Sequence, residues 1–420
     1  FKSKSIHLHH NIDILIVGGG LAGLLAAKKL AGTDQDVLLV ERDNNLGGIL
    51  RNSNKIKSID GQKSADWIEK TEWLLKSANN IKILKNTTVT TYNYKDHLIA
   101  IEDKTVGTPP DDNKPELVMH KIRTKHTVLA NGHIERFLSF RNNDLPGVML
   151  AASFEKYIHR YGVVADTSPV IFTNNSSTFS LLKTMVDMNH KPKAYVDVRD
   201  SKKIEKETLE LINNHNIPFY PKSEIEGCEG KNQIEKIFIR TKKDKTLKIK
   251  TSMLCISGGI NPDIHLFTQS KGLVKWDEKI LTFKPEKSFQ NTITLGSVSG
   301  NFHFEKLVEE VNKKLGFIEG CNNFNTNIEV LGPKEFHIKE IWETKNLKKS
   351  LWSKSFIDLQ NDVTTKDLRQ AIREGFDRIE HLKRFTTNSM GTDQGKISSI
   401  NALGIASKLL KKSVSEVGTT

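Results

Sequence analysis

Cysteine is nearly absent from this chain. The 420 residues contain three, Cys228, Cys255 and Cys321, far apart and with no CxxC or CxxxxC pair among them. That excludes a redox-active disulfide motif and a locally written cysteine-rich zinc or iron–sulfur site. Lone cysteines in strand-like runs such as "SMLCISGG" read as small core residues of a reducing, cytoplasmic protein. No apolar run is long enough to cross a bilayer, so no membrane association is expected. A clustered basic face is missing too. The net charge is +13, but the lysines are scattered among Asp and Glu. The excess therefore reads as a solvated surface, or as attraction to an acidic partner subunit, and no nucleic-acid partner is expected. What remains, 37% hydrophobic and 27% charged residues, is a globular composition, and the length predicts two to three domains. The chain opens at Phe1 and stops at "SVSEVGTT", which reads as a piece of a longer polypeptide whose targeting signals, if any, lie upstream.

Near the start, "IDILIVGGGLAGLLAAKKL" predicts a buried strand over Ile12–Val17, a glycine turn and an amphipathic helix. Gly18 permits the tight turn, Gly20 lets a pyrophosphate approach the backbone, and Gly23 lets helix and strand pack closely. The helix then presents free amides to the phosphates. The next strand, in "DVLLVERD", ends in Glu41, eighteen residues beyond Gly23, near the spacing of a ribose-hydroxyl acceptor. An acid there favours NAD or FAD over a 2′-phosphorylated nucleotide, a preference that the adjacent Arg42 softens. "NNLGGIL" sets Gly47 and Gly48 just after that acid, and "IKILKNTTVTTYN" is a strand leading to a backbone site near the adenine at Val89.

Two further stretches resemble those of two-dinucleotide flavoproteins. "HTVLANGHIERF" is similar to their ATG strand-turn, with Ala130, Asn131 and Gly132 in its place. "NTITLGSVSGNF" is similar to their closing segment at Gly296, except that Ser297 stands where those proteins usually carry an Asp for the flavin's ribityl-phosphate end. Losing that carboxylate leaves the adenylate half untouched and tilts the reading towards NAD, with FAD as the alternative.

Downstream, "SPVIFTNNSSTFSLLKTM" and "KAYVDVRD" form a second β-α-β unit. Its turn, Thr173-Asn174-Asn175-Ser176, lacks close-approach glycines, so it is expected to keep a nucleotide-domain shape without holding a nucleotide. "VGTPPDDNKPEL" reads as a surface loop. The fold class expected is α/β, a two-dinucleotide-binding, FAD/NAD-linked reductase-like fold. Its first domain occupies 1–165 and 256–325, around an inserted nucleotide-like domain at 166–255. A connector and small helical domain follow at 326–420. "HLHH" at 7–10 has metal-ligand residue types, but beside a chain end these histidines read as exposed, and no metal site is expected. His133 and Glu135 are expected to shape a turn and an interdomain contact.

Several long phrases carry a wider resemblance: "LANGHIERFLSFRNNDLPGVMLAASFEKYIHRYGV", "SGGINPDIHLFTQS", "DLQNDVTTKDLRQAIREGF" and "EHLKRFTTNSMGTDQGKISSINALGIA". Together they resemble the alpha subunit of heterotetrameric sarcosine oxidase over nearly all 420 residues. The resemblance implies a larger subunit, with a small domain before this stretch and a tetrahydrofolate-binding domain after it. It implies NAD in the first domain and FMN at the interface with the beta subunit, alongside gamma and delta partners. The amine is then oxidised on beta, sarcosine losing its methyl group to give glycine, and the one-carbon unit passes to folate. No catalytic residue is expected in this chain, which alone would be inactive. Alternatives are the alpha subunit of a related FAD-dependent proline, opine or dimethylglycine dehydrogenase, or a scaffold with a structural nucleotide. The missing cysteine pair counts against a disulfide reductase.

In those relatives a small helical domain holds a [2Fe-2S] cluster between a CxC and a CxxxxC. Matching that pattern here puts Asp358, Gln360, Asp393 and Ser398 at the ligand positions. None is a thiolate, so no iron–sulfur cluster is expected. The helices retain apolar spacing at Leu368, Ile372, Phe376, Ile379 and Leu382. The loop "KRFTTNSMGTDQGK" carries cations at its head and glycines at 391 and 395, groups suited to a phosphate. The resemblance implies FMN there, lined by Lys383, Arg384, Thr386, Thr392 and Gln394. The simpler alternative is a polar loop whose basic residues stabilise a helix end.

Overall fold

The computed structural model describes residues 5–107, 115–321, 323–345 and 349–418; most of the expected surface loop "VGTPPDDNKPEL" lies outside them. The first unit begins with β1 (Ser5–Val17), α1 (Leu21–Leu30), β2 (Val37–Val40), α2 (Ile49–Asn52) and β3 (Ile56–Ile59). It continues through α3 (Ser64–Ser77), β4 (Ile81–Leu84), β5 (Thr87–Asn93), β6 (His97–Asp103) and β7 (Leu117–Leu129). Its main sheet runs β4-β2-β1-β7-β6-β5, and strand Thr292–Thr294 joins β7 from the far end of the chain. β4, β2, β1, the end of β7 and Thr292–Thr294 are parallel, whereas the first half of β7 pairs antiparallel with β6.

Side-chain alternation along β1 divides its burial between two faces. Ile14 and Ile16 pack with Leu24, Leu25, Trp67 and Val311 from the covering helices. Leu15 and Val17 face Leu38, Val40, Leu84 and Phe267 on the other side. Coverage on both faces is what a parallel sheet requires, and the all-buried VLLV of β2 reflects it.

β1 starts earlier than the Ile12–Val17 reading because β7 supplies partners all the way back to Ser5. The "HLHH" run is therefore strand rather than a loose end. His7 and His9 are exposed, while His10 Nε2 hydrogen-bonds His120 Nδ1 at 2.9 Å. The buried His120 in turn meets Glu102 at 3.1 Å. Among the described residues no His, Cys, Asp and Glu cluster is arranged to hold a metal ion.

The second unit is a five-stranded parallel sheet with strands 219–221, 194–197, 170–173, 254–257 and 148–150 in that spatial order. Helices Ala151–Tyr161, Phe179–Asp187 and Lys206–Asn214 accompany it, with an antiparallel three-stranded sheet of 224–229, 236–240 and 246–250. Cys255 and Cys228 are fully buried in its two cores, and burial pushes their thiols up, that of Cys228 to about 12. Cys321 is half-buried, and all three are free.

The chain returns through Ile260–Pro262, which pairs antiparallel with His133–Glu135. The hairpin 273–277/282–287 and helix Leu307–Leu315 follow. Arg136 pins this junction. Its buried guanidinium donates to the carbonyls of Gly258 (2.9 Å) and Leu281 (2.7 Å) and lies 5.0 Å from the Trp342 ring. Desolvation lowers it to about 9.

The last unit contains helices Thr365–Arg373, Ile379–Thr386, Ser399–Leu410 and Val414–Val417. The apolar spacing over 368–382 is divided between two of these helices at Gly375 (φ +98°), a conformation that favours glycine. Leu368, Ile379 and Leu382 are buried there, sharing one core with Trp342 and with Leu281 and Phe283 of the return hairpin. Among the described residues no helix is long and apolar enough to cross a membrane.

Candidate dinucleotide-binding site

The turns after β1, β2 and β7 and after strand Thr292–Thr294 meet at the carboxyl edge of the first sheet, where open α/β sheets bind ligands. Gly18 sits at φ +103°, and a Cβ there would fall 2.5 Å from Ala130 O. A Cβ on Gly23 would fall 1.8 Å from Gly18 O, so α1 lies hard against the turn. Gly20 is different. Its φ of −75° is ordinary, and a Cβ would meet nothing nearer than 4.0 Å. Glycine at 20 leaves space empty rather than satisfying the backbone. The ten-residue α1 has no side-chain cap at its amino end, so its first amides face that space unpaired with any side chain.

Gly47 N–H donates to Gly19 O at 2.8 Å, and a Cβ on Gly48 (φ +51°) would approach Gly20 Cα to 3.0 Å. Two glycine backbones thus form one narrow floor. Glu41 stands at its edge: Oε2 accepts Gly19 N–H at 2.6 Å and Oε1 accepts Asp43 N–H at 2.8 Å. Burial raises its pKa against those two hydrogen bonds. Each carboxylate oxygen can still accept a ribose hydroxyl. Arg42 is exposed. Neighbouring Asp43 takes Arg160 at 2.6 Å, reaching over from helix Ala151–Tyr161; burial would raise its pKa, but Arg160 outweighs that and holds it low. Val89 is half-buried in β5 and packs on the Leu38–Val40 face, two residues past Thr87, whose N–H donates to Glu41 O.

On the other side, Ala130 N–H donates to Val17 O at 2.8 Å, and Gly132 (φ +86°) faces Ser297, whose Oγ would be 4.0 Å from a Cβ on the glycine. Gly296 (φ +72°) presses on Ala22 at the start of α1. Glu310 secures this closing loop, accepting from Gly296 N–H (3.2 Å), Ser299 Oγ (2.7 Å) and Asn301 Nδ2 (2.7 Å). The structure thus gathers the glycines, Glu41, Ala130 and Gly296 around one crevice. Glu310 and Arg160 were not singled out by sequence, because nothing local marks a residue whose partners lie far along the chain.

His133 and Glu135 leave the crevice towards the second unit. Glu135 accepts Ala152 N–H at 2.7 Å, capping the first turn of helix Ala151–Tyr161, and burial pushes its carboxyl up to about 7. Desolvation, with Lys55 nearby, pushes the His133 imidazole down to about 3.

In the helical unit, Lys383, Arg384 and Thr386 lie in one helix, whereas Thr392 and Gln394 lie in the following loop. Arg384 pairs with Glu380, Thr386 Oγ1 donates to Leu382 O, Thr392 Oγ1 donates to Gln360 Oε1, and Gln394 Nε2 donates to Gly391 O. Lys383 makes no ion pair among the described residues. Asp358, Gln360, Asp393 and Ser398 do converge. The buried Asp358 carboxylate accepts Gln360 N–H (2.9 Å), Ser389 N–H (2.7 Å) and Ser398 Oγ (3.4 Å). Gln360 Oε1 also accepts Asp393 N–H (3.3 Å). Oxygen acceptors and backbone amides, not thiolates, join these four positions.

A model of the pyridine nucleotide-disulphide oxidoreductases matches residues 12–284. The chain belongs to this family. A second model, the sarcosine oxidase A3 domain, matches residues 352–420. Among curated proteins, the chain is similar to the sarcosine oxidase subunit alpha of Corynebacterium sp. (strain P-1), 29% identical over 99% of this chain and 44% of that protein. It is likewise similar to that of Rhizobium meliloti (strain 1021), 30% identical over 97% of this chain and 40% of that one. The chain thus spans less than half the length of the curated relatives it matches. Among solved structures, L-proline dehydrogenase from P. horikoshii superposes with a TM-score of 0.69 at 21% identity, covering 100% of this chain and 78% of that one. Thioredoxin reductase from T. acidophilum gives 0.54 at 16% identity, over 73% and 95%. At such identities the structures establish the fold alone; the dinucleotide-binding oxidoreductase family rests on the match over residues 12–284.

Proposed function

We propose that the first unit holds NAD, with its pyrophosphate over Gly20 and the amino end of α1. We further propose that the chain is the dinucleotide-binding part of the alpha subunit of a sarcosine-oxidising complex. One observation carries the nucleotide reading: an uncapped helix terminus beside the empty space at Gly20. Glu41 would accept the adenosine ribose hydroxyls, and the strand-turn at Ala130–Gly132 with the loop at Gly296 would bound the other half. A nicotinamide, when bound, supplies hydride chemistry; this chain's residues bind and orient it. Ser297 opposite Gly132 offers a hydroxyl where flavin-binding relatives of the fold carry a carboxylate, which favours NAD over FAD. The kinship to sarcosine oxidase alpha subunits over 99% of the chain supports the remainder. On that reading, sarcosine is oxidised on a beta subunit and FMN lies at the alpha–beta interface beside Lys383 and Arg384. Gamma and delta subunits complete a cytoplasmic assembly, and tetrahydrofolate receives the one-carbon unit on a segment beyond this chain.

The test is to heat-denature the purified protein and identify the released nucleotide by chromatography and absorbance, with NAD titration of nucleotide-free protein alongside. NAD released or bound supports the reading; FAD moves it to a flavin-dependent dehydrogenase of the proline, opine or dimethylglycine kind. In the assembled complex, replacing Lys383 and Arg384 by Ala should reduce FMN retention. Unchanged FMN occupancy would return that segment to a helix-stabilising role.

A further inference from the structure

The second parallel sheet has its own switch point. Strand 170–173 pairs with 194–197 on one side and with 254–257 on the other, so a nucleotide would bind at the carboxyl ends of 170–173 and 254–257. The chain's own backbone runs through that place. Ser176 N–H donates to His337 O (3.1 Å), His337 N–H donates to Ser176 Oγ (2.8 Å), and Lys339 N–H donates to Asn174 O (2.8 Å). Asn174 Nδ2 returns a bond to Lys339 O (2.8 Å), and Asn175 pairs with Ile338 as an antiparallel bridge.

The groups a dinucleotide would use are spent in the same way. The amide of Ser177, at the turn leading into helix Phe179–Asp187, is taken by the Asn175 side chain (2.9 Å). Asp197 ends the second strand of the unit, where a ribose-binding acid would stand. It is fully buried and holds Arg199 through both carboxylate oxygens, with Arg199 Nη2 to Asp197 Oδ2 at 2.9 Å. Asn175 Nδ2 spans the switch point itself, reaching Ser257 O and Oγ at 3.2 and 3.1 Å.

We propose that residues 337–339 are a built-in occupant of the second crevice, standing in for a dinucleotide and limiting the chain to one bound nucleotide. His337 O accepts the Ser176 amide as a phosphate oxygen would, the amides of His337 and Lys339 add donors that no pyrophosphate has, and Arg199 neutralises the acid that a ribose would engage. The same segment leads from the first unit to the helical unit, so ligand entry would require breaking the tie between them. The count of one rests on the nucleotide reading of the first unit; the closure of the second crevice does not.

Two measurements on the full chain separate these. Calorimetric titration with NAD should give one equivalent for the wild type and none for Gly20→Ala. Amide hydrogen exchange in nucleotide-free protein should show Ser176, His337 and Lys339 protected by more than ~100-fold over the unfolded rate, with no change on adding NAD. Two equivalents in the wild type would overturn the proposal, as would fast exchange at those amides or an NAD-dependent change in their protection; one equivalent retained in Gly20→Ala with those amides unchanged would count against the first-unit reading alone. No binding in the wild type together with protected amides would sink the first-unit reading and leave the closed crevice standing.

Discussion

Replacing Gly20 with Ala separates a glycine kept for a ligand from a glycine kept for the fold. At Gly20 the backbone lies at φ −75°, open to any residue, and the added methyl would meet no atom nearer than Gly48 Cα at 4.0 Å. The cost to stability should therefore be below ~0.5 kcal/mol, the range of substitutions that touch nothing. The methyl would, however, fill the space a pyrophosphate needs to reach the amides of α1. In the wild type, NAD at a hundredfold over its dissociation constant should add about 2.7 kcal/mol. At roughly 2 °C or more per kcal/mol that is a rise of several degrees in Tm, and the variant should show none of it. Gly23→Ala is the control with the opposite signature: a methyl 1.8 Å from Gly18 O must push α1 off β1. That overpacking should cost about 3 kcal/mol or more before any ligand is added. Differential scanning fluorimetry with and without NAD reads both effects, and calorimetry reads affinity directly. A Gly20→Ala protein that still gains the ligand-dependent shift would refute the reasoning; so would one that loses several degrees without ligand.

Two further outcomes follow from groups outside the crevice. Glu135 is raised from 4.5 to about 7 by burial, so the folded state keeps a proton that the unfolded chain releases. Its contribution is a loss of stability, up to ~3 kcal/mol, as pH rises from about 4.5 to 7. His133, lowered from 6.5 to about 3, acts in the opposite sense, adding stability as pH rises from about 3 to 6.5. Glu135→Gln should therefore gain stability relative to wild type across pH 4.5–7, read from urea midpoints, and parallel pH profiles would contradict the assignment. Asp358→Ala should cost about 3 kcal/mol, because it leaves two buried donors, the Ser389 amide and the Ser398 hydroxyl, and the amide of exposed Gln360 without their acceptor. Asp358→Asn, which keeps one oxygen, should lose less, and a loss below ~1 kcal/mol for the alanine variant in urea denaturation would argue against that role.

The first glycine turn and the strand before Glu41 were legible because their parts are local. Gly18, Gly20, Gly23 and Glu41 lie within one strand–turn–helix–strand unit, where the required conformations and close approaches are set by neighbours a few residues apart. The second β-α-β unit was legible for the same reason. Three features were not. β1 reaches back to Ser5 only because β7 is long enough to pair with it, which the polar "HLHH" run conceals. The helical run 365–386 breaks at Gly375, although its apolar spacing continues through Phe376 and Ile379. The closing loop at Gly296 depends on Glu310, an acid in a helix whose sequence looks like any solvated surface.

The sequence by itself determined the dinucleotide-binding architecture, the missing side chain at Gly20 and the lack of any thiolate at positions 358, 360, 393 and 398. Side-chain chemistry, including the lack of a side chain at 20, is a property of the residues themselves. It also showed that the second unit lacks close-approach glycines. Only the tertiary structure decided what sits there instead, because Asn174 and Ser176 meet residues 337 and 339 through main-chain hydrogen bonds, which any sequence can make and none announces. Those bonds join segments some 160 residues apart, and only folding brings them together.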